Sequence, residues 1–400
     1  MVQHVYGDGT NSTSGANTIT HFYDRAGIKA ANRVNVFQQF ADKKSMPRKS
    51  GKTFKVSKFL HMYDRALTAT DFSAKGYLTA RSADEVSTAL TSAQLAEGAG
   101  AVNKRTLHKV TVETTLNRYG EMIDYSDEVD LFSEDSMQVR YREELGALGN
   151  SRHEDLIMLD MLGTPTVLYS GAAISLATVG GGAVANGSTD DALKVSYDLM
   201  RKATRKLLRN RAKKNTEVIT GDTKVDTRTV GGAYYAIIGA DVKSDLENLT
   251  RGTTYEREYV FVPVHKYAAA GNLAEGEVGA MHEVRFIEAE GMVKYAGEGA
   301  VPPQNYTGTL SITGATDLTS ATPADRGNFD VFPILFPTQG AFATVGLKGS
   351  EKIVFHSKPP SDVSVSNPYG TSGFFSYNFF YAGLILEEEK LLKTLVAASA

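Results

Sequence analysis

The stretch SEDSMQVRYREELGALGNSRHEDLIMLDMLG, Ser133–Gly163, decides the architecture of this 400-residue chain. Ser133 and Ser136 are both good N-cap residues, and Glu134 and Asp135 stand where the positive end of a helix dipole favours acids. Tyr141, Leu145, Leu148, Leu156, Leu159 and Leu162 then recur at helical spacing. Arg140 and Glu144, four apart, suit a face that stays wet. Gly163, followed by Thr164 and Pro165, stops the run. A continuous helix of this kind is about 43 Å long, which is long for a compact enzyme domain. Gly146, Gly149 and Arg152 interrupt the clean heptad that a coiled coil needs. Each glycine costs about 1 kcal/mol against alanine in a helix interior. They therefore imply close packing against a neighbouring backbone, with a kink at Gly146–Gly149 as the alternative. The reading is a rigid spine helix over 134–163, crossed by strands.

Upstream of the spine, Lys109–Tyr125 reads as one long strand, with Val110, Val112, Thr114 and Leu116 alternating with polar residues. Gly51–Phe59 reads as a second strand, with Phe54 and Val56 on one face. Between them, Leu60–His108 is polar and rich in Ala, Ser and Thr. Ser82 and Glu85 could cap a short helix carrying Val86, Leu90 and Ala93. So long an excursion is uncommon inside a compact domain, and it implies order supplied from outside the subunit. Val34, Phe37 and Phe40 suggest a short helix within Ile19–Phe40, broken at Lys43–Pro47. Met1–Thr20 is Gly/Ser/Thr/Asn-rich with no apolar segment of the signal-peptide kind, and reads as a flexible arm.

Downstream, Gly171–Ser188 reads as a connection, and Asp190–Lys214 as a second helix with Tyr197, Met200, Thr204, Leu207 and Leu208 on its apolar side. Tyr234–Gly239 reads as a buried strand and Val242–Leu249 as a short helix. Val260–Val264, Val284–Ile287, Met292–Tyr295, Phe332–Phe336, Phe342–Val345, Ile353–His356 and Phe374–Leu386 are further strands, the last aromatic on both faces as a central strand would be. Tyr306–Asn328 reads as a surface insertion. No internal repeat is evident.

The chemistry of enzymes is thin. The formal net charge of −3 gives no chain-wide attraction to nucleic acid or acidic lipid. The chain has no cysteine, so disulfides and thiolate metal sites are excluded. No apolar run is long enough to span a bilayer. Ser50-Gly51-Lys52-Thr53 imitates the end of a phosphate-binding loop, but Met46 replaces its first glycine and a strand follows rather than a helix. His153-Glu154 lacks the second histidine of a zinc-protease motif, and no nucleophile elbow is present. His61, His108, His265, His282 and His356 are scattered. No catalytic, cofactor or metal site is therefore expected.

Charge is concentrated in three places. Lys43, Lys44, Arg48, Lys49, Lys52, Lys55 and Lys58 cluster before the excursion. Asp124, Asp127, Glu128, Asp130, Glu134 and Asp135 form an acidic run after it, read as a solvated loop because the glycine and spacing of a calcium loop are missing. Lys49, Lys52 and Lys55 are expected to pair with Asp124, Asp127, Glu128 and Asp130, within or between subunits, and Glu97 is a further contact candidate. Arg201, Arg205 and Arg209 lead the cations of the second helix. With no interleaved aromatics, any nucleic-acid contact there would be non-specific and salt-sensitive.

Several short motifs, in order, are similar to those of one family. They are Phe37-Gln38-Gln39-Phe40-Ala41-Asp42-Lys43-Lys44, Gly51-Lys52-Thr53-Phe54-Lys55-Val56 and Leu95-Ala96-Glu97-Gly98. Leu116-Asn117-Arg118-Tyr119-Gly120-Glu121, Gly276-Glu277-Val278-Gly279 and Val284-Arg285-Phe286-Ile287-Glu288 follow. Phe329-Asp330-Val331-Phe332-Pro333 and Phe379-Phe380-Tyr381-Ala382-Gly383-Leu384-Ile385-Leu386 close the series. Together they resemble the major capsid proteins of tailed bacteriophages, in the coliphage N-four-type branch. The resemblance runs from about residue 19 to the end and departs at the Thr/Gly-rich insertion near 303–328. It implies an α+β, Hong Kong 97-like phage capsid fold. Its parts would be an N-arm (1–50), an E-loop (60–108), a P-domain (51–59, 109–189 and 369–400, with the spine helix) and an A-domain (190–368). It also implies a non-enzymatic protein that self-assembles as hexamers and pentamers into an icosahedral shell around double-stranded DNA. Portal, scaffolding or decoration proteins would be its partners, with no membrane, and assembly would take place in the host cytoplasm. An encapsulin-like compartment shell and a soluble nucleotide-binding enzyme are the alternatives.

Overall fold

The computed structural model describes residues 35–59, 83–95, 97, 107, 109–132, 137–181, 190–215, 218–219, 230–249, 261–266, 273–350, 352–363 and 367–400. The expected flexible arm, the caps at Ser82, Ser133 and Ser136, Glu134, Asp135, His61 and His108 lie outside the described residues. A 3-10 turn at Phe37–Phe40 leads into β1 (Asp42–Met46), β2 (Thr53–Phe59), α1 (Ala83–Ser92), β3 (Lys109–Thr115), β4 (Asn117–Ser126), α2 (Asp127–Phe132) and α3 (Met137–Leu162). Then come β5 (Val167–Tyr169), α4 (Asp190–Leu193), α5 (Tyr197–Arg209), β6 (Val218–Ile219), β7 (Val230–Gly231), β8 (Tyr234–Ile238), α6 (Ala240–Glu247), β9 (Val262–Pro263), β10 (Glu277–Met281) and β11 (Val284–Glu288). The chain closes with β12 (Ile312–Thr313), β13 (Asn328–Phe329), β14 (Phe332–Phe336), β15 (Phe342–Leu347), β16 (Val354–Lys358), β17 (Ser372–Ile385) and β18 (Leu392–Val396).

Two sheets carry the molecule. The first is organised by β17, fourteen residues long. Its N-terminal part lies between β4 and β16, and its C-terminal part pairs with β15, which takes β1 in parallel on its far side. The second sheet runs β5-β18-β14-β8-β11-β10-β9. All five residues of β8 are buried because both faces of this sheet are covered. Tyr234, Ala236 and Ile238 meet Leu199, Met200, Ala203 and Leu207 of α5. Tyr235 and Ile237 point the other way, into a cluster with Ile157, Met158 and Met161 of α3.

The spine helix exists, and it is unbroken through Gly146 and Gly149. The glycines face side chains rather than a backbone. A Cβ on Gly149 would lie 3.2 Å from Ile353 Cδ1 and 3.3 Å from the Tyr377 ring, and one on Gly146 would lie 3.7 Å from Phe355. A single apolar stripe does not describe the helix. Leu145 and Gly149 turn toward β16 and β17, whereas Ile157, Met158, Met161 and Leu162 are buried on another side, and Leu159 is exposed. Leu145 and Met161, sixteen residues apart in the sequence, project about 160° apart around the axis. The helix is thus apolar on one side early and on a second side late, because its C-terminal half is wedged between two sheets.

Other expectations are corrected by local geometry. Lys109–Tyr125 is two strands, because buried Leu116 turns the chain inward and its N–H donates to the Lys52 carbonyl at 2.9 Å. Lys43–Pro47 is not merely a break: Lys43 and Lys44 lie in β1, held by β15. The long second helix is two, since Ser196 caps α5 by accepting from Leu199 N–H at 3.2 Å, and Leu208 is exposed. β11 pairs with β8 and β10, while Tyr295 makes only a bridge to Val331. From Asp124 to Asp130 the acidic run is not a loop but the end of β4 and α2. The insertion is only partly a surface feature, because Tyr306, Leu310 and Phe329 form a small core with Leu193 and Ala397. Strands from different stretches of the chain share sheets: β15 and β16 join β17, while β5 and β18 join the second sheet.

Buried Glu154 ties the N-terminal stretch to the spine. Its carboxylate accepts from Phe37 N–H at 2.8 Å and from Gln38 N–H at 3.2 Å, seating fully buried Phe37. Glu154→Ala is expected to destabilise the dissociated subunit by about 1.5–3 kcal/mol, with Gln intermediate, in urea denaturation. His153 packs edge-on against Phe379 and Tyr381, and burial, with Lys43 nearby, holds its imidazole below its usual pKa. The unfolded chain takes up a proton near pH 6.5 that the folded chain refuses. This contribution to stability is present above about pH 6.5 and is lost as pH falls below it toward the folded pKa. His153→Gln is expected to remove that part of the pH slope, measured as the urea midpoint across pH 5 to 7.5; an unchanged slope would exclude it.

Candidate assembly surfaces

Among the described residues no group of three or more His, Asp or Glu could hold a metal ion. No described helix is long and apolar enough to cross a membrane. Thr53 begins β2, so a strand does follow Lys52. What the fold displays instead are surfaces.

The first is the arm of β2 and β3, in full antiparallel register from Thr53↔Thr115 to Phe59↔Lys109. Its side chains alternate between exposed and half-buried, so the subunit covers neither face completely. Lys55 bridges to Glu113 directly across the ladder at 2.8 Å. Within one subunit Lys55 is therefore engaged by Glu113 rather than by the acidic run. Both partners are well exposed, so the pair adds little stability. Lys49 and Lys52 form no ion pair among the described residues. At the end of the arm Phe59, and beyond it Leu90 of α1, Leu95 and Leu107, are exposed apolar residues, and Glu97 is exposed too. The sequence placed Leu90 on a short helix and Leu95 in a motif, but gave no reason to expect either to be exposed.

The second surface is α2 and its surroundings. Asp124 lies exposed on β4, and Asp127 and Glu128 open the helix. Asp130 lies in its middle, followed by Leu131, 72% exposed, and Phe132, 83% exposed. The sequence reading found the acids but missed the apolar tip, because a loop reading gives no reason to ask which way Phe132 points.

The third is the outer face of α5. Arg201, Arg205 and Arg209 recur every four residues, about 6 Å apart along the axis. All three are exposed, opposite buried Leu199, Ala203 and Leu207. Arg201 stands over the Tyr197 ring at 5.8 Å. Lys206 turns inward instead, donating to the Val167 carbonyl at 3.2 Å, and burial lowers its pKa.

The fourth was not foreseen. A cleft of about 700 Å³ opens between α3 and the edge of the first sheet, lined by Lys43, Lys44, Asn150, His153, Lys352 and Tyr381 among others. Only the Lys43-Lys44 doublet hinted at it, once those residues are known to alternate in a strand.

No protein-family model matches the chain. It is 27% identical over 404 aligned residues, covering 97% of this chain and 95% of the other, to the major capsid protein of Pseudomonas phage KPP21. Among solved structures it is similar to the capsid of Ralstonia phage GP4, with a TM-score of 0.59 and 10% identity over 98% of this chain and 99% of that one. The capsid structure of Cyanophage P-SCSP1u matches with a TM-score of 0.53 and 12% identity, over 98% and 97%. The head structure of Helicobacter pylori bacteriophage KHP40 matches with a TM-score of 0.53 and 12% identity, over 99% of each chain. The likeness covers nearly the whole of each chain, and the fold of this chain is a mixed α/β fold of the kind seen in phage capsids.

Proposed function

We infer that this chain is the major capsid protein of a tailed bacteriophage and that its function is to associate with copies of itself into the shell. The observation that carries this reading is the end-to-end likeness to a phage major capsid protein and to phage capsid structures, covering nearly the whole of each chain. The exposed arm, with unpartnered apolar residues and an ion pair on its surface, fits a subunit completed by its neighbours.

The finer assignment follows from the sequence resemblance. The fold is of the Hong Kong 97-like type, with the β2–β3 arm and α1 as the E-loop, the first sheet with α3 as the P-domain, and the second sheet with α5 and α6 as the A-domain. Because the strands intermix, β15 and β16 go with the P-domain and β5 and β18 with the A-domain. The subunits form hexamers and pentamers of an icosahedral shell around double-stranded DNA. Portal, scaffolding or decoration proteins are the partners, and assembly takes place in the host cytoplasm. Arg201, Arg205 and Arg209 are the candidate contacts to packaged DNA, and Lys49, Lys52, Glu97 and Asp124 the candidate contacts between subunits. The protein acts as structure and not as an enzyme.

Electron microscopy of the purified protein, alone and with its phage's assembly factors, is expected to give capsomer rings or closed shells; a uniform small particle under both conditions would refute the reading. If the α5 row contacts DNA, R201A/R205A/R209A is expected to lower the slope of log affinity against log salt by about 2 to 3. An unchanged slope would place the row away from DNA.

A further inference from the structure

The cleft beside α3 is one-signed. Lys43 and Lys44, on alternate faces of β1, line it from that strand and Lys352 from the approach to β16, and no carboxylate of the described residues lines it. None of the three lysines forms an ion pair among the described residues. His153, on the α3 wall, is held toward its neutral form by burial and by Lys43. Phe355, 43% exposed, supplies apolar wall. Cations that form no ion pair among the described residues, beside aromatic wall, call for an occupant that is both acidic and apolar.

Such a group exists elsewhere on the same chain. Helix α2 presents Asp127 and Glu128 next to Leu131 and Phe132, the last two among the most exposed apolar side chains of the molecule. Neither Asp127 nor Glu128 forms an ion pair among the described residues. The helix is six residues long, or about 9 Å. That is small enough for a cleft of this volume to take its tip.

The two features stand apart within one subunit. Helix α2 leaves β4 at Ser126, which pairs with Ser372 at one end of the β4–β17 ribbon. Tyr381, which lines the cleft, pairs with Asn117 at the other end. Nine positions of β17 lie from Ser372 to Tyr381, about 30 Å of strand, and five from Ser372 to Tyr377, the partner of the cleft-lining Phe355, about 17 Å. Complementary patches at opposite ends of a rigid ribbon generate a heterologous contact, which closes into rings when the rotation between subunits permits.

We propose that the cleft walled by Lys43, Lys44 and Lys352 receives the acidic, apolar α2 of a second copy of this chain, as a head-to-tail contact between neighbouring subunits. This rests on the reading of the chain as a shell-forming subunit. It also reassigns the acidic run: its partner is the cleft, and Lys55 stays with Glu113 inside the arm.

Charge reversal with complementation tests it. K43E/K44E and D127K/E128K are each expected to raise the protein concentration needed for assembly by about tenfold or more. The chain carrying all four changes is expected to assemble near the wild-type concentration, because opposite charges again face each other at every contact, and an equal mixture of the two variants to recover in part, because they complement only where they alternate. Rescue in the mixture also shows that both variants fold. Wild-type assembly with either variant unaffected, or with no rescue in both the mixture and the combined chain, would overturn the contact while leaving the capsid reading intact. Absence of any wild-type assembly would overturn the capsid reading itself.

Discussion

The wedging of α3 between two sheets is the constraint on which the rest depends. Its early turns lie on β17 through Leu145 and Gly149, and its late turns bury Ile157, Met158 and Met161 against the far face of the second sheet. One continuous helix therefore sets the relation between the sheets, and Glu154 on the same helix fixes where the N-terminal chain enters. An unbroken hydrogen-bonded rod transmits position across its length, which a shell needs if identical subunits are to present contacts at defined angles.

Long β17 does the complementary work along the other axis. It joins β4, β16 and β15 and carries the aromatic row Tyr377, Phe379 and Tyr381 under the helix. Tyr381 donates to the Asp160 carboxylate at 2.7 Å, and Gly383 leaves room for that carboxylate, since a Cβ there would collide with it. Burial raises the pKa of Asp160, opposed by the Tyr381 hydrogen bond, and raises that of the tyrosine as well. The ends of this ribbon, not its middle, carry the exposed chemistry: the acidic α2 at one end and the cationic cleft at the other.

How much could be read in advance differs by element. The strands β2, β8, β14, β15, β16 and β17 and the helices α3, α5 and α6 were legible because alternation, apolar runs and caps are local signals. The strands β1, β10 and β18 were not. Asp42–Met46 is polar, and its strand state comes from parallel pairing with β15 some three hundred residues away. Gly279 in β10 has no room for a side chain beside Phe261, a reason for glycine invisible without the fold. The stripe on α3 was misread at Leu159 because a periodicity argument assumes one buried side, and here there are two.

By itself, the sequence determined that the chain holds a long spine, a polar excursion flanked by strands and a mixed second half, and that it lacks the spacings of common catalytic motifs. These follow from local periodicity, composition and motif order. The tertiary structure alone decided which charges face one another, which apolar residues remain uncovered and where the cationic cleft lies. Those properties belong to pairs of residues brought together by long-range strand pairing, and a linear pattern holds no record of such distances.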